Sequence, residues 1–323
     1  MYFGEKMFHN MPKARIISLL KILSGMLIIV IFAQISLGSA VRLTGSGLSC
    51  PDWPLCYGLW FPDQKKLSVI SEVNYEFYQI MLEWIHRFNA AIFIAPLTLF
   101  VFITGFKLHN SDINKKTLLA ILVFLALQGL MGGFTVFDRN SPWSVAVHLG
   151  LALILLLLVI RVFMQSLNLN FEISFPNIKR KLSTLIISII FIIITMLMGA
   201  IVSKSGSSLA CDIWPLCSND GLSIFQHNKF IHITHRFLAI ISAICIYFVF
   251  KFYRDSRQYK LIYILRKMLI TVIVLQILIG ATVIFTELNM YIAMFHQSLA
   301  VILFMMLSFL FWFTLQINYK IKY

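Results

Sequence analysis

Residues 41–56 read VRLTGSGLSCPDWPLC, and 161 positions later residues 202–217 read VSKSGSSLACDIWPLC. Each copy follows a long apolar run, so the run and its loop recur together. The register pairs Gly38 with Gly199, Cys50 with Cys211, Trp53 with Trp214 and Cys56 with Cys217. After a loop shorter by 12 residues in the second half, WIHRF at 84–88 meets ITHRF at 233–237. Gln128 and Gly132 then pair with Gln276 and Gly280, and His148 pairs with His296. A repeat that runs through the whole chain means one structural unit written twice.

The unit belongs in a bilayer. Of 323 residues, 59% are hydrophobic and 12% charged, with a mean hydropathy of +0.86, more apolar surface than a soluble core of this size buries. Runs long enough to cross the hydrocarbon recur near 16–38, 82–106, 117–137, 143–165, 183–202, 231–250, 267–286 and 291–315. The expected fold is an all-α integral membrane protein, with eight transmembrane helices arranged as two four-helix bundles, residues 1–170 and 171–323. An even number of spans gives both units the same orientation, so a pseudo-twofold axis along the membrane normal should relate them. The basic start, first apolar run and LGSA at 37–40 also fit a cleaved signal peptide. The matching run at 183–202 ends in MGAIV in mid-chain, however, so the first run reads as a retained helix. With no long Arg- and Ser-rich leader ahead of it, the expected location is a bacterial cytoplasmic membrane.

Basic residues resist translocation. With a cytoplasmic N-terminus, one side collects Lys6, Lys13, Arg15 and Lys21, the pairs and triplets around Lys115 and Lys179, the 251–267 cluster including Arg257, and finally Lys320 and Lys322. That side holds 19 of the 27 basic residues, which places both termini in the cytoplasm. The net charge of +14 therefore reads as topology and contact with anionic lipid headgroups, and nucleic acid is not an expected partner.

Histidines carry the next inference. His9, His109 and His227 fall in loops or tails, whereas His86, His148, His235 and His296 fall within helices near the outer surface. Asn140 or Ser141 can cap the fourth helix, with Pro142 in its first turn, which puts His148 roughly 10 Å below the outer helix end. Helices 2 and 4 run in the same direction, so His86 and His148 can face one another at similar depth, as can His235 and His296. A single intramembrane histidine usually serves packing. Two matched pairs instead offer axial imidazoles to a flat tetrapyrrole between helices, a poor arrangement for zinc. Gly129, Gly132, Gly133, Gly280 and Ala281 could open a slot for such a ligand or simply let helices pack. Arg87 and Arg236 follow a histidine in each half and could meet haem propionates or snorkel to headgroups.

The repeated loops lie on the outer, oxidising side in this topology. A Cys50–Cys56 and a Cys211–Cys217 disulfide would each pin a short Trp-Pro turn over the mouth of its bundle; unpaired or redox-active thiols are the alternative. Cys245, in mid-helix and without a counterpart, reads as packing.

RLTGSGLSCPDWPLC, EWIHRF, the Gln- and Gly-containing third helix and the second-half WPLC and THRF together closely resemble the haem A synthases over nearly the whole chain. That family oxidises the methyl group of haem O to the formyl of haem A, the haem of terminal oxidases. The resemblance implies substrate haem O in one half and a resident haem b in the other. Glu83 stands one turn before His86, where the second half has His232, and Asp63, Glu72 and Glu76 lie in a longer first-half loop. These asymmetries make Glu83 the candidate catalytic group and 1–170 the substrate half. His86 and His148 are then the substrate-haem ligands, and His235 and His296 the haem b iron ligands. Membrane lipid, haem O synthase, terminal oxidase assembly and an electron acceptor are the implied partners. The electron acceptor's identity and the oligomeric state cannot be read from the residues. A dihaem b-type cytochrome that only moves electrons, for example from quinol, shares the histidines but gives no reason for Glu83. A parallel-repeat transporter would more commonly show broken helices and midplane charges.

Overall fold

Asn114 and Ser141 stand where two apolar runs begin, and both cap them: Asn114 Oδ1 accepts the N–H of Thr117 at 3.2 Å, and Ser141 Oγ that of Ser144 at 3.4 Å. Pro142 occupies the first turn behind Ser141, where its missing N–H costs nothing. The computed structural model describes residues 11–70, 73–109, 113–167, 177–215, 217, 226–254 and 259–322, with backbone alone from 317. Lys6, His9, Glu72 and Arg257 lie outside the described residues, as do the side chains of Lys320 and Lys322.

Among the described residues, eight helices are long and apolar enough to cross a membrane. They are α1 (Lys13–Leu43), α2 (Phe77–Phe106), α3 (Lys115–Phe137), α4 (Pro142–Ser166), α5 (Ile178–Lys204), α6 (His227–Phe252), α7 (Lys260–Phe285) and α8 (Met290–Lys322). The protein is a multi-pass membrane protein with no strand among the described residues. Each helix reaches past its expected span at one or both ends, although α7 stops at Phe285, one residue short of 286. α7 begins at Lys260, ahead of the expected 267, because Arg266 and Lys267 end the apolar run without interrupting backbone hydrogen bonding.

α2 contains one wide turn, Ala90–Ile94, with the hydrogen-bond spacing of a π-helix. Pro96 follows one residue later, after Ala95, and has no N–H to donate to the preceding turn.

Packing closes each set of four into a ring. α1 contacts α2 and α4, and α3 contacts α2 and α4; in the second half α5 contacts α6 and α8, and α7 contacts α6 and α8. The two rings meet through the first and fourth helix of each, so α1, α4, α5 and α8 form a central spine. Its core is Leu20 and Leu27 of α1, Leu153, Leu156 and Ile160 of α4, Leu185 of α5, and Val301, Phe304 and Leu307 of α8, all fully buried. α2, α3, α6 and α7 flank the spine and turn Ile92, Phe100, Leu130, Ile240 and Leu278 outward. Apolar residues on the outside as well as the inside are what a lipid solvent permits.

At the Lys- and Arg-rich end, cations sit on aromatic rings. Arg180 lies 3.8 Å from the centre of Phe252, Arg266 4.2 Å from Phe250, and buried Lys181 5.3 Å from Tyr253.

Candidate functional site

At the opposite end, α1 and α5 each terminate at a glycine in the left-handed region, Gly45 at φ +69° and Gly206 at φ +70°. The chain then enters the repeated loops. Both hold a disulfide: Cys50–Cys56 with Cα atoms 4.6 Å apart, and Cys211–Cys217 at 4.3 Å. Both carry a cis Trp–Pro bond, and an arginine from the next helix clamps each from below. Arg87 donates to the carbonyls of Asp52 at 2.5 Å, Leu55 at 2.7 Å and Cys50 at 3.1 Å. Arg236 donates to those of Ile213 at 2.8 Å, Pro215 at 3.1 Å and Cys211 at 3.1 Å. The two arginines, expected at haem propionates, thus have carbonyl partners in the loops. Cys245 is free and partly buried within α6.

The halves diverge at Glu83. Its Oε2 accepts the N–H of Cys50 at 2.8 Å and the hydroxyl of Ser49 at 3.1 Å, while Oε1 pairs with Arg87 at 2.6 Å. Glu83 is only 4% exposed, because the loop folds over it and supplies its partners. His232, at the equivalent place, puts Nδ1 3.0 Å from the Ser207 carbonyl. In the first loop, Asp52 accepts the N–H groups of Tyr57 at 2.6 Å and Gly58 at 2.9 Å. Burial, followed by the nearby Tyr75, Glu83 and Asp52, raises the pKa of the Tyr57 hydroxyl.

His86, His148, His235 and His296 each rest on a glycine of the preceding helix. A Cβ added to Gly38 would meet the His86 ring at 3.1 Å, one on Gly132 the His148 ring at 3.2 Å, one on Gly199 the His235 ring at 3.0 Å, and one on Gly280 the His296 ring at 2.8 Å. The small residues therefore do several jobs. Gly132 and Gly280 seat imidazoles, Gly133 faces the Trp53 ring at 3.2 Å, and Gly129 opens onto empty space.

Glutamines flank three of these rings. Gln34, Gln128 and Gln276 place Nε2 3.3, 3.3 and 3.4 Å from Nε2 of His86, His148 and His296. Gln34 also donates to the His86 carbonyl at 2.9 Å and accepts from Asn89 at 2.6 Å. At the position aligned with Gln34 the second half has Thr195, whose carbonyl lies 3.1 Å from His235 Nδ1. Nδ1 of His86, His148 and His296 is buried with no hydrogen-bond partner. Sequence reasoning missed Gln34 and Thr195, although their alignment with one another was available.

His86 and His148 line one cavity of about 770 Å³ in the first half. Gln34, Gln128 and Gly129 share its wall, Trp53 and Trp60 of the loop region reach it, and Glu83 and Arg87 stand at its edge. That volume suits a single large organic ligand. Orphaned imidazole nitrogens, glycine cradles and an apolar wall together fit a tetrapyrrole held through its metal. Among the described residues no three His, Cys, Asp or Glu side chains converge as a bare metal ion would need.

Residues 21–308 match the family model described as cytochrome oxidase assembly protein. The chain is 32% identical over 285 residues to the Heme A synthase of Geobacillus kaustophilus, covering 84% of each. It is 31% identical over 291 residues to the Heme A synthase of Staphylococcus carnosus, covering 87% of this chain and 89% of the relative. With a helical, eight-span architecture and a match along most of its length, the chain belongs to the COX15-CtaA family of cytochrome oxidase assembly proteins.

Proposed function

We propose that this chain is a haem A synthase, a membrane oxidoreductase that converts the methyl group of haem O to the formyl group of haem A for terminal oxidase biogenesis. The observation that carries this reading is the first-half cavity, where two glycine-seated imidazoles and a buried carboxylate meet in one apolar space. In it, His86 and His148 hold the substrate haem. His235 and His296 hold a resident haem b, for which the glycine contacts and the unpartnered His296 Nδ1 provide matching donors. When bound, haem b supplies one-electron chemistry near the substrate. The rest falls to the chain's own residues.

Turning a methyl into a formyl group oxidises its carbon, so electrons must pass to an acceptor and protons to a base. Glu83 fixes a negative charge at the cavity edge, where it can attract a developing positive charge or receive a proton. Ser49, Cys50 and Arg87 hold that carboxylate in place, so it is preorganised before substrate arrives. To reach a propionate, Arg87 or Arg236 would have to give up carbonyl partners. In this reading they chiefly keep the loops closed over the haem edges and water out. Residues 1–170 then form the substrate half and 171–323 the resident-haem half, related by a pseudo-twofold axis along the membrane normal. Both termini face the cytoplasm, and the histidine pairs and cysteine loops lie toward the periplasm of a bacterial inner membrane. Haem O synthase supplies the substrate, and an electron acceptor is required.

The test is haem extraction from cells supplied with haem O, with and without this protein. A formyl haem should appear only where the protein is present; its absence would sink the proposal.

A further inference from the structure

The first-half cavity contains more positive charge than its own residues neutralise. Glu83 and Arg87 pair with each other. Arg42, near the end of α1, and Lys204, at the end of α5, also line the cavity, and neither has a carboxylate partner among the described residues. Arg42 donates to the side-chain oxygen of Gln297 on α8, while its Nε is buried without a partner. The two cations interact electrostatically, which means that the fold holds like charges near one another. Uncompensated cations in an apolar wall are costly unless an anion completes the site.

Resting on the haem reading above, we propose that Arg42 and Lys204, with Gln297 holding the guanidinium, are the carboxylate anchor of the first-half cavity: two cations for the two propionates of the substrate haem. The anchor is built across the repeat. Arg42 belongs to the first half, whereas Lys204 and Gln297 come from the second, so the substrate site is complete only when both halves are packed together. Gln297 directly follows His296, which connects the anchor to the proposed resident-haem ligand along one helix.

This arrangement also bears on selectivity. A flat macrocycle held by two axial imidazoles can rotate about their common axis, and its several ring methyls would then take turns at the reacting position. Charge pairing at one edge removes that freedom and presents a single methyl, a positioning role that the imidazoles cannot perform.

The experiment is an absorption titration of the detergent-solubilised protein, carrying its resident haem, with haem O and with the dimethyl ester of haem O, whose propionates are uncharged. The wild-type protein should bind haem O about tenfold or more tightly than the ester, as expected for charge-assisted pairs. In the Arg42→Leu, Lys204→Met double variant that preference should vanish through weakened haem O binding, with ester binding and the resident-haem spectrum retained. Arg42→Lys should keep most of the preference. Equal wild-type affinity for the two compounds would overturn the anchor alone, and this comparison needs no variant to fold. Failure of both compounds to bind would overturn the haem reading and the anchor with it.

Discussion

Glu83 on α2 holds the backbone N–H of Cys50, 33 residues earlier in the chain, at 2.8 Å. The same carboxylate is thus the proposed catalytic group and the peg on which the first loop hangs. Glu83→Gln keeps the shape but removes the charge, whereas Glu83→Ala strands buried donors at a cost of about 1–3 kcal/mol. Both variants should lose haem A formation, accumulating haem O or a partly oxidised product, with the second-half haem spectrum unchanged. Only Glu83→Ala should also make the Cys50–Cys56 loop markedly more susceptible to protease. Normal haem A output from Glu83→Gln would show that the negative charge has no part in the reaction.

His235 and His296 are proposed to hold the resident haem, so purified protein should give a low-spin, six-coordinate b-type spectrum. His296→Ala should turn that spectrum high-spin or abolish it, while His148→Ala leaves it intact and impairs substrate binding. An unaltered spectrum in His296→Ala would move the resident haem elsewhere.

Peptide mapping of unreduced protein should recover Cys50 joined to Cys56 and Cys211 to Cys217, with Cys245 free. Each bridge closes a short ring, worth about 2 kcal/mol by chain-entropy arithmetic. Cys56→Ser should therefore loosen one loop without unfolding the helices, measured as faster hydrogen exchange confined to the first loop.

Gly280→Ala and Gly129→Ala should behave differently. The first puts a methyl 2.8 Å from the His296 ring, which must shift, so the resident-haem spectrum should change. The second meets nothing within 4 Å and should fold normally, with weaker haem O binding because the added methyl points into open space beside the cavity. Identical spectra and haem O affinities for the two variants would contradict the separate roles assigned to these glycines.

The helices and the paired histidines could be read from the chain because apolar run length and internal repetition are local or periodic signals. Helix ends such as Lys260 were less readable, since hydropathy fades at charges that a helix tolerates once it leaves the hydrocarbon. The surroundings of Glu83 are not readable for another reason. Its position one turn from a helix end says nothing about a loop folding back over it. The carbonyl partners of Arg87 and the shared cavity wall of Arg42 and Lys204 likewise join residues far apart in sequence, and no spacing rule reports them.

The wide turn at Ala90–Ile94 has a consequence for how the two copies differ. Such a turn accommodates one residue more than a regular one, so the face presented by Ala95–Phe106 is set independently of the face presenting Glu83 and His86. The first half places Gln128 42 residues after His86, whereas the second places Gln276 41 residues after His235. α6 runs as one regular helix through its own histidine. The histidine-to-glutamine spacing thus differs by one residue between the copies, and the helix bearing the proposed catalytic carboxylate contains a phase shift that its twin lacks.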